Sequence, residues 1–178
     1  MPQRGYPLAK VYALPETGQV LMLATAGKAR PNVMTLSWHM PVEFEPPLAA
    51  CVLDGMDYSQ SLLKAARECT LNIPTIEMAE QVVAVGNCSG RDLDKFAEFG
   101  LGTRPSSLVA APRVAGCHAS LECRVHDSRK ANRYGLFILE VVKAWADTSV
   151  KDPRTLHHRG NGRFMVAGEN IRLASRMP

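Results

Sequence analysis

No uninterrupted apolar window of about 18 residues occurs, so no segment has the length and character of a membrane-spanning helix. Met1 to Lys10 lacks the charged-then-apolar order of a signal peptide. The five cysteines form an odd count with no paired spacing, which argues against a disulfide framework and for reduced thiols in a cytoplasmic protein. No polybasic run appears, and the formal charge of +4 is scattered, so nucleic acid is not an expected partner. There is no Gly-x-Ser-x-Gly elbow for a serine hydrolase. Walker and Gly-x-Gly-x-x-Gly loops are also missing, which disfavours a P-loop enzyme and a Rossmann dehydrogenase. Internal repeats and low-complexity stretches are absent, and the prolines are spread as punctuation without marking a linker. Residues 1–178 therefore read as one domain, large enough to bury a proper core.

What is present is mainly β. Val20 to Thr25 is a nearly continuous apolar run, as in a strand buried on both faces. Asn32 to Met40 alternates: Met34, Leu36, Trp38 and Met40 point inward, and Thr35, Ser37 and His39 point the other way. Leu48 to Leu53, Thr70 to Ile73, the stretch after Gly116, Leu136 to Trp145 and Arg163 to Val166 complete six or seven strands. A helix capped by Asp57 or Ser59 runs to about Glu68, with Leu62, Leu63 and Ala66 as its apolar stripe. Thr75 caps a second helix that stops at Gly86. Ser89-Gly90-Arg91-Asp92 opens a third, shorter helix carrying Lys95 and Phe96. Strands do not alternate with crossover helices, so an antiparallel β-barrel with helical insertions is the expected architecture.

Three segments could carry chemistry. A Ser89-Gly90 helix start offers backbone N–H groups to an anion, with Arg91 as a bidentate donor and Lys95 one turn on. An ordinary capped helix with solvated charges fits the same residues as well. The hydroxyl row of Thr35 and Ser37 suits a flat polar heterocycle lying along a strand edge, and also suits a solvent-facing face. Asp57-Tyr58-Ser59 is a second anion contact or a plain N-cap. Cys117, His118, Cys123 and His126 do not have the spacing of paired metal ligands. On one strand the thiols would face one way and the imidazoles the other, so core thiols, exposed histidines and no metal are expected. His157 and His158 splay apart in the same way and read as loop histidines.

Taken in order, Lys10-Val11-Tyr12, Asn32-Val33-Met34-Thr35-Leu36-Ser37-Trp38-His39-Met40-Pro41-Val42, Phe44-Glu45-Pro46-Pro47, Asp57-Tyr58-Ser59, Leu71-Asn72-Ile73-Pro74, Gly86-Asn87-Cys88-Ser89-Gly90-Arg91-Asp92 and Asp94-Lys95-Phe96 make a pattern. Leu121-Glu122-Cys123, Phe137 to Val141, Leu156 to Gly160 and Phe164 to Gly168 continue it. The pattern resembles the flavin reductase-like family, in particular its flavoredoxin-type branch. The resemblance implies a homodimeric, antiparallel FMN-binding split β-barrel with FMN near the subunit interface. It places Thr35, Leu36, Ser37 and Trp38 against the isoalloxazine and ribityl parts, and the backbone of Cys51, Val52 and Leu53 along the flavin. Ser59, Ser89, Gly90, Arg91, Asp92 and Lys95 fall at the phosphate end, and Cys88 stands where a hydroxyl or small residue is expected. The implied activity is electron transfer through FMN from NAD(P)H or a redox protein to an acceptor such as a partner monooxygenase. No side chain need act as a catalytic group, because the cofactor carries the chemistry, and His39 is expected to be structural. A non-enzymatic FMN electron carrier and a split-barrel module for another ligand, such as haem, are the alternatives.

Overall fold

The structure is a computed structural model and describes residues 2–174. The chain opens with β1 (Arg4–Tyr6) and a 3-10 segment at Leu8–Ala13, then runs through β2 (Leu21–Thr25), β3 (Asn32–Leu36), β4 (His39–Glu43) and β5 (Leu48–Val52). Helix α1 (Tyr58–Ala66) leads to β6 (Glu68–Ile73), and α2 (Ala79–Gly86) and the one-turn α3 (Lys95–Glu98) follow. Next come the short strands β7 (Thr103–Arg104) and β8 (Arg113–Val114) and the long strands β9 (Ala119–Asp127) and β10 (Leu136–Ala146), with α4 (Ala131–Tyr134) between the long pair. A hairpin of β11 (Leu156–His158) and β12 (Phe164–Val166) comes last.

Eight strands pair in one antiparallel sheet, ordered β3-β2-β6-β9-β10-β5-β4, with β1 also on β10. β10 is long enough to serve two neighbours on one side: its start pairs β5 (Leu136 with Val52) and its end pairs β1 (Ala146 with Arg4). The sheet curls into a half barrel around one core, where Leu21, Leu23, Leu71, Leu121, Phe137 and Leu139 meet Leu63 of α1. A second apolar layer lies on the other side of the sheet. There Met22 and Ala24 of β2 pack under Val82 and Val85 of α2 and Phe96 of α3. β2 thus has apolar neighbours on both faces, which is why its sequence does not alternate. Val82 and Val85 are fully buried, and each contributes about 1.5–3 kcal/mol relative to exposure.

Twelve strands form among the described residues where six or seven were expected, and the structure departs from the expected elements in four further places. The run from Asn32 to Met40 is two strands, because the backbone breaks at Ser37-Trp38 and re-enters the sheet as β4 at its far edge. Trp38 and Met40 consequently lie outside, 71% and 59% exposed. Ser89-Gly90-Arg91-Asp92 forms turns rather than a helix, and α3 starts only at Lys95. Asp94 is its cap, accepting from the Phe96 and Ala97 amides at 3.0 and 3.2 Å. His157 and His158 sit in β11 rather than in a loop. His118 is buried, not exposed, whereas His126 is exposed and lies 3.7 Å from Glu140. Cys117 and Cys123 are core thiols, and burial pushes the Cys117 thiol well up.

The polar side of β9 is covered at Ser120 and Glu122. Glu122 is fully buried and accepts from the Ser107 and Leu108 amides and from Trp145 Nε1, at 2.6–3.0 Å. That carboxylate pins the loop between β7 and β8 against the sheet, and its three donors replace the water it lost. Among the described residues no helix is long and apolar enough to cross a membrane.

Candidate functional site

Two adjoining cavities open where the ends of β3 and β5, the start of β10 and the entry to α1 converge. The first has a volume of about 480 Å³ and is lined by Met34 to Trp38, Val52 to Gly55 and the α4 segment Ala131 to Gly135. The second, about 350 Å³, is lined by Asn32, Tyr58, Ser59 and the turn from Cys88 to Arg91, with Lys95. Met34, Thr35 and Asp57 belong to both, so the two form one elongated groove. Both volumes fall in the range of small-molecule sites.

Local structure fixes the walls. The Leu53 amide donates to the Gly135 carbonyl at 3.0 Å, and Gln60 Nε2 donates to the Leu53 carbonyl at 2.9 Å. Gly135 ends α4 with φ of 65°, and a Cβ there would stand 2.0 Å from the Leu53 carbonyl oxygen. Only glycine permits both the left-handed turn and that approach. The turn into α1 is closed by acids: Asp57 accepts from the Asp54 amide at 2.9 Å, and Asp54 from the Met56 amide at 2.8 Å.

The second cavity collects polar groups that could hold a ligand with negative charge and hydroxyls. Lys95 is 5% exposed, and its Nζ donates to the Val85 carbonyl at 2.7 Å. An ammonium has three donors, and among the described residues no carboxylate forms a salt bridge with this one. Burial pushes its pKa below the ordinary lysine value, while Cys88 and Asp57 favour the charged form. Ser59, 3% exposed, accepts from Asn32 Nδ2 at 2.8 Å, which leaves its own proton to donate elsewhere. Asn32 Oδ1 is buried without a partner among the described residues. Gly90 passes so close that a Cβ would stand 1.8 Å from that oxygen. Arg91 is exposed, donates to the Met56 carbonyl at 3.2 Å and lies 5.3 Å from the centre of the Tyr58 ring.

Of the residues marked in the sequence, Thr35, Leu36, Ser37, Trp38, Val52 and Leu53 line the first cavity. Ser59, Ser89, Gly90, Arg91 and Lys95 line the second. Cys51 and Asp92 line neither: Cys51 is 1% exposed inside the barrel core, and Asp92 is exposed. The Thr35 hydroxyl donates to the Val82 carbonyl at 2.6 Å, so it can offer a ligand only lone pairs, whereas Ser37 makes no such bond among the described residues. His39 is structural, with Nε2 2.5 Å from the Gln19 carbonyl and burial pushing its pKa down. Asn32, Gln60 and Gly135 were not marked as site residues. Gly135, just before a long apolar strand, was the one with a readable signal. A third cavity of about 260 Å³ shares Thr35 and Ser37 with the first and is otherwise lined by Val20, α2 with Asn87, and His158, Gly162 and Phe164.

Comparison with known proteins gives a consistent result. The model of a family described as "Flavin reductase like domain" matches residues 16–165. An uncharacterised protein of Escherichia coli (strain K12), YddH, is 35% identical over 154 residues, covering 80% of this chain and 82% of that one. The crystal structure of an FMN-binding domain of a flavin reductases-like enzyme from Shewanella baltica OS155 superimposes with a TM-score of 0.92 at 28% identity, covering 97% and 98% of the two chains. The flavoredoxin of Desulfovibrio vulgaris (Miyazaki F) shares the fold, with a TM-score of 0.79 at 23% identity over 88% and 90%.

Proposed function

The chain belongs to the flavin reductase-like domain family, and we propose that it binds FMN along the joined cavities and passes electrons through it, from NAD(P)H or a redox protein to an acceptor. The observation that carries this reading is Lys95, a buried ammonium lining a cavity and forming no salt bridge among the described residues, with Asp57 as the acid on the cavity wall. Such a charge is costly in isolation and calls for an anion. The similar Shewanella baltica protein is described as FMN-binding, and a phosphate monoester supplies that anion.

In this reading Lys95 and the Ser59 hydroxyl hold the phosphate, and Arg91 adds a screened charge at the rim. Asn32 fixes the Ser59 oxygen as an acceptor and so directs the hydroxyl proton toward the ligand. The flat ring belongs in the first cavity, between the Thr35 to Trp38 backbone and the Asn132 to Gly135 segment. FMN supplies the redox chemistry when bound. The chain positions the ring, orients its polar edge through Ser37 and the local backbone, and keeps water from its buried face. A nicotinamide would reach the flavin through the third cavity, which adjoins the first at Thr35 and Ser37.

A second copy of the chain completes this proposal. Trp38, Met40, Val42 and Phe44, alternate residues at the sheet edge, are 71%, 59%, 43% and 54% exposed. Met56 and Tyr134, at 82% and 55%, continue the apolar surface at the cavities' rim. A monomer rarely leaves so extended an apolar strip in water, and a homodimer would cover it. Five free thiols suit a reducing, cytoplasmic setting. Steady-state oxidation of NADH and NADPH by the FMN-loaded protein tests the activity. Turnover with either supports a reductase, and reduction only by a redox protein such as a ferredoxin supports a carrier.

A further inference from the structure

We infer that Cys88 is a modification site, a point of thiol–disulfide exchange with small disulfides carrying carboxylates, and that its modification bars the anion from the second cavity. Four of the five cysteines are 0–1% exposed in the core, and Cys88 is the one that is part-exposed. It lines the cavity that holds Lys95 and Arg91. Among the described residues its Sγ makes only weak contacts, to the carbonyls of Ala84 and Val85 at 3.4 and 3.9 Å. The same cavity is lined by Asn32, 5% exposed, whose Oδ1 has no partner among the described residues, an unsatisfied acceptor independent of the thiol.

Charge selects the reagent. Lys95, Arg91 and Arg30, which donates to the Gly90 carbonyl at 3.2 Å, surround the turn, with Asp57 as the acid on the cavity wall. A carboxylate-bearing disulfide is drawn to that setting as a phosphate is. In the exchange the Cys88 thiol loses its proton to solvent and its sulfur attacks one sulfur of the disulfide. The original S–S bond breaks, a new one joins Cys88 to one half, and the other half leaves as a thiolate. Cys88 is oxidised and the departing half is reduced. The adduct's carboxylate then occupies the cations that a phosphate would use. Buried thiols elsewhere in the chain stay inert.

The loss of cofactor rests on the FMN reading, whereas the reactivity of Cys88 does not. The test treats the folded protein with 5,5′-dithiobis(2-nitrobenzoate), itself a dicarboxylate disulfide. One thiol per chain should react, none should react in C88S, and denaturant should release the other four. Inorganic phosphate or FMN at about ten times its Kd should slow labelling roughly tenfold. Labelled protein should lose the rise in melting temperature that FMN produces, and dithiothreitol should restore it. Treated C88S should keep the rise it had before treatment. Labelling that persists in C88S, that neither phosphate nor FMN slows, or that leaves the FMN-induced rise intact overturns the inference. If phosphate protects while FMN neither protects nor stabilises, Cys88 stands as the site and the FMN reading falls.

Discussion

Replacing Lys95 by methionine separates the anion site from the rest of the groove. Methionine keeps the length and apolar stem of the side chain and removes the charge. In the free protein two effects oppose each other. The Val85 carbonyl loses its 2.7 Å donor, which costs about 1–3 kcal/mol if it is left unpaired. The desolvation of a buried ammonium disappears, which offsets much of that cost. Stability should therefore change by only about 1 kcal/mol. Binding should change far more, since a hydrogen bond to a charged group is worth about 1.5–3 kcal/mol, or roughly a tenfold to hundredfold loss in FMN affinity. Riboflavin has no phosphate, so its affinity should be nearly unchanged. Quenching of flavin fluorescence on titration measures both ligands. Equal losses for FMN and riboflavin, or no loss for either, would refute the assignment of Lys95 to the phosphate. The pH dependence follows from the same burial. The folded-state pKa of Lys95 is lowered from 10.5, so over the window between that lowered value and 10.5 the unfolded chain holds more protons than the folded one. Stability of the free protein should rise with pH through that window, FMN affinity should fall, and K95M should lose both trends.

Three further outcomes follow. Gly135→Ala would place a Cβ 2.0 Å from the Leu53 carbonyl oxygen at a φ of 65°. It should lower stability in urea by about 2 kcal/mol or more and weaken FMN and riboflavin alike; full retention of both would show that the Leu53–Gly135 wall is not constrained. Glu122→Gln should cost about 2–3 kcal/mol, because a charged acceptor serving three donors becomes a neutral one, and proteolysis should then cut the loop between β7 and β8; an unchanged midpoint would count against the carboxylate as its anchor. Met40→Asp, at a 59% exposed edge position, should shift the protein from dimer to monomer by light scattering without unfolding it, and an unchanged mass would place the interface elsewhere.

The sequence carried the fold further than it carried the site. The nearly continuous apolar run at Val20 to Thr25 correctly signalled a strand covered on both sides, as Met22 and Leu23 show from opposite cores. Strict alternation from Asn32 to Met40 concealed a break, because period two does not reveal that a strand leaves one edge of a sheet and joins the other. Ser89-Gly90 was misplaced at a helix start because the same dipeptide also makes turns; the true cap was Asp94, directly before Lys95. The residue types for holding an anion were legible, but their geometry was not. The burial of Lys95 depends on packing of α3 beneath the sheet, and the Asn32–Ser59 bond joins residues 27 apart, so neither has a local signal. Cys51 was marked for its backbone, and its side chain, like that of Leu53, turns into the core, which a sequence pattern alone does not separate from the cavity wall formed at Val52 and Leu53.

The central claim is tested most directly by the absorption spectrum of the purified protein, followed by heat release and chromatographic identification of any chromophore. Flavin bands and released FMN, or in colourless protein a perturbed flavin spectrum and a raised melting temperature on adding FMN, are the predicted results. A colourless protein that changes neither the spectrum of added FMN nor its own melting temperature would contradict the account.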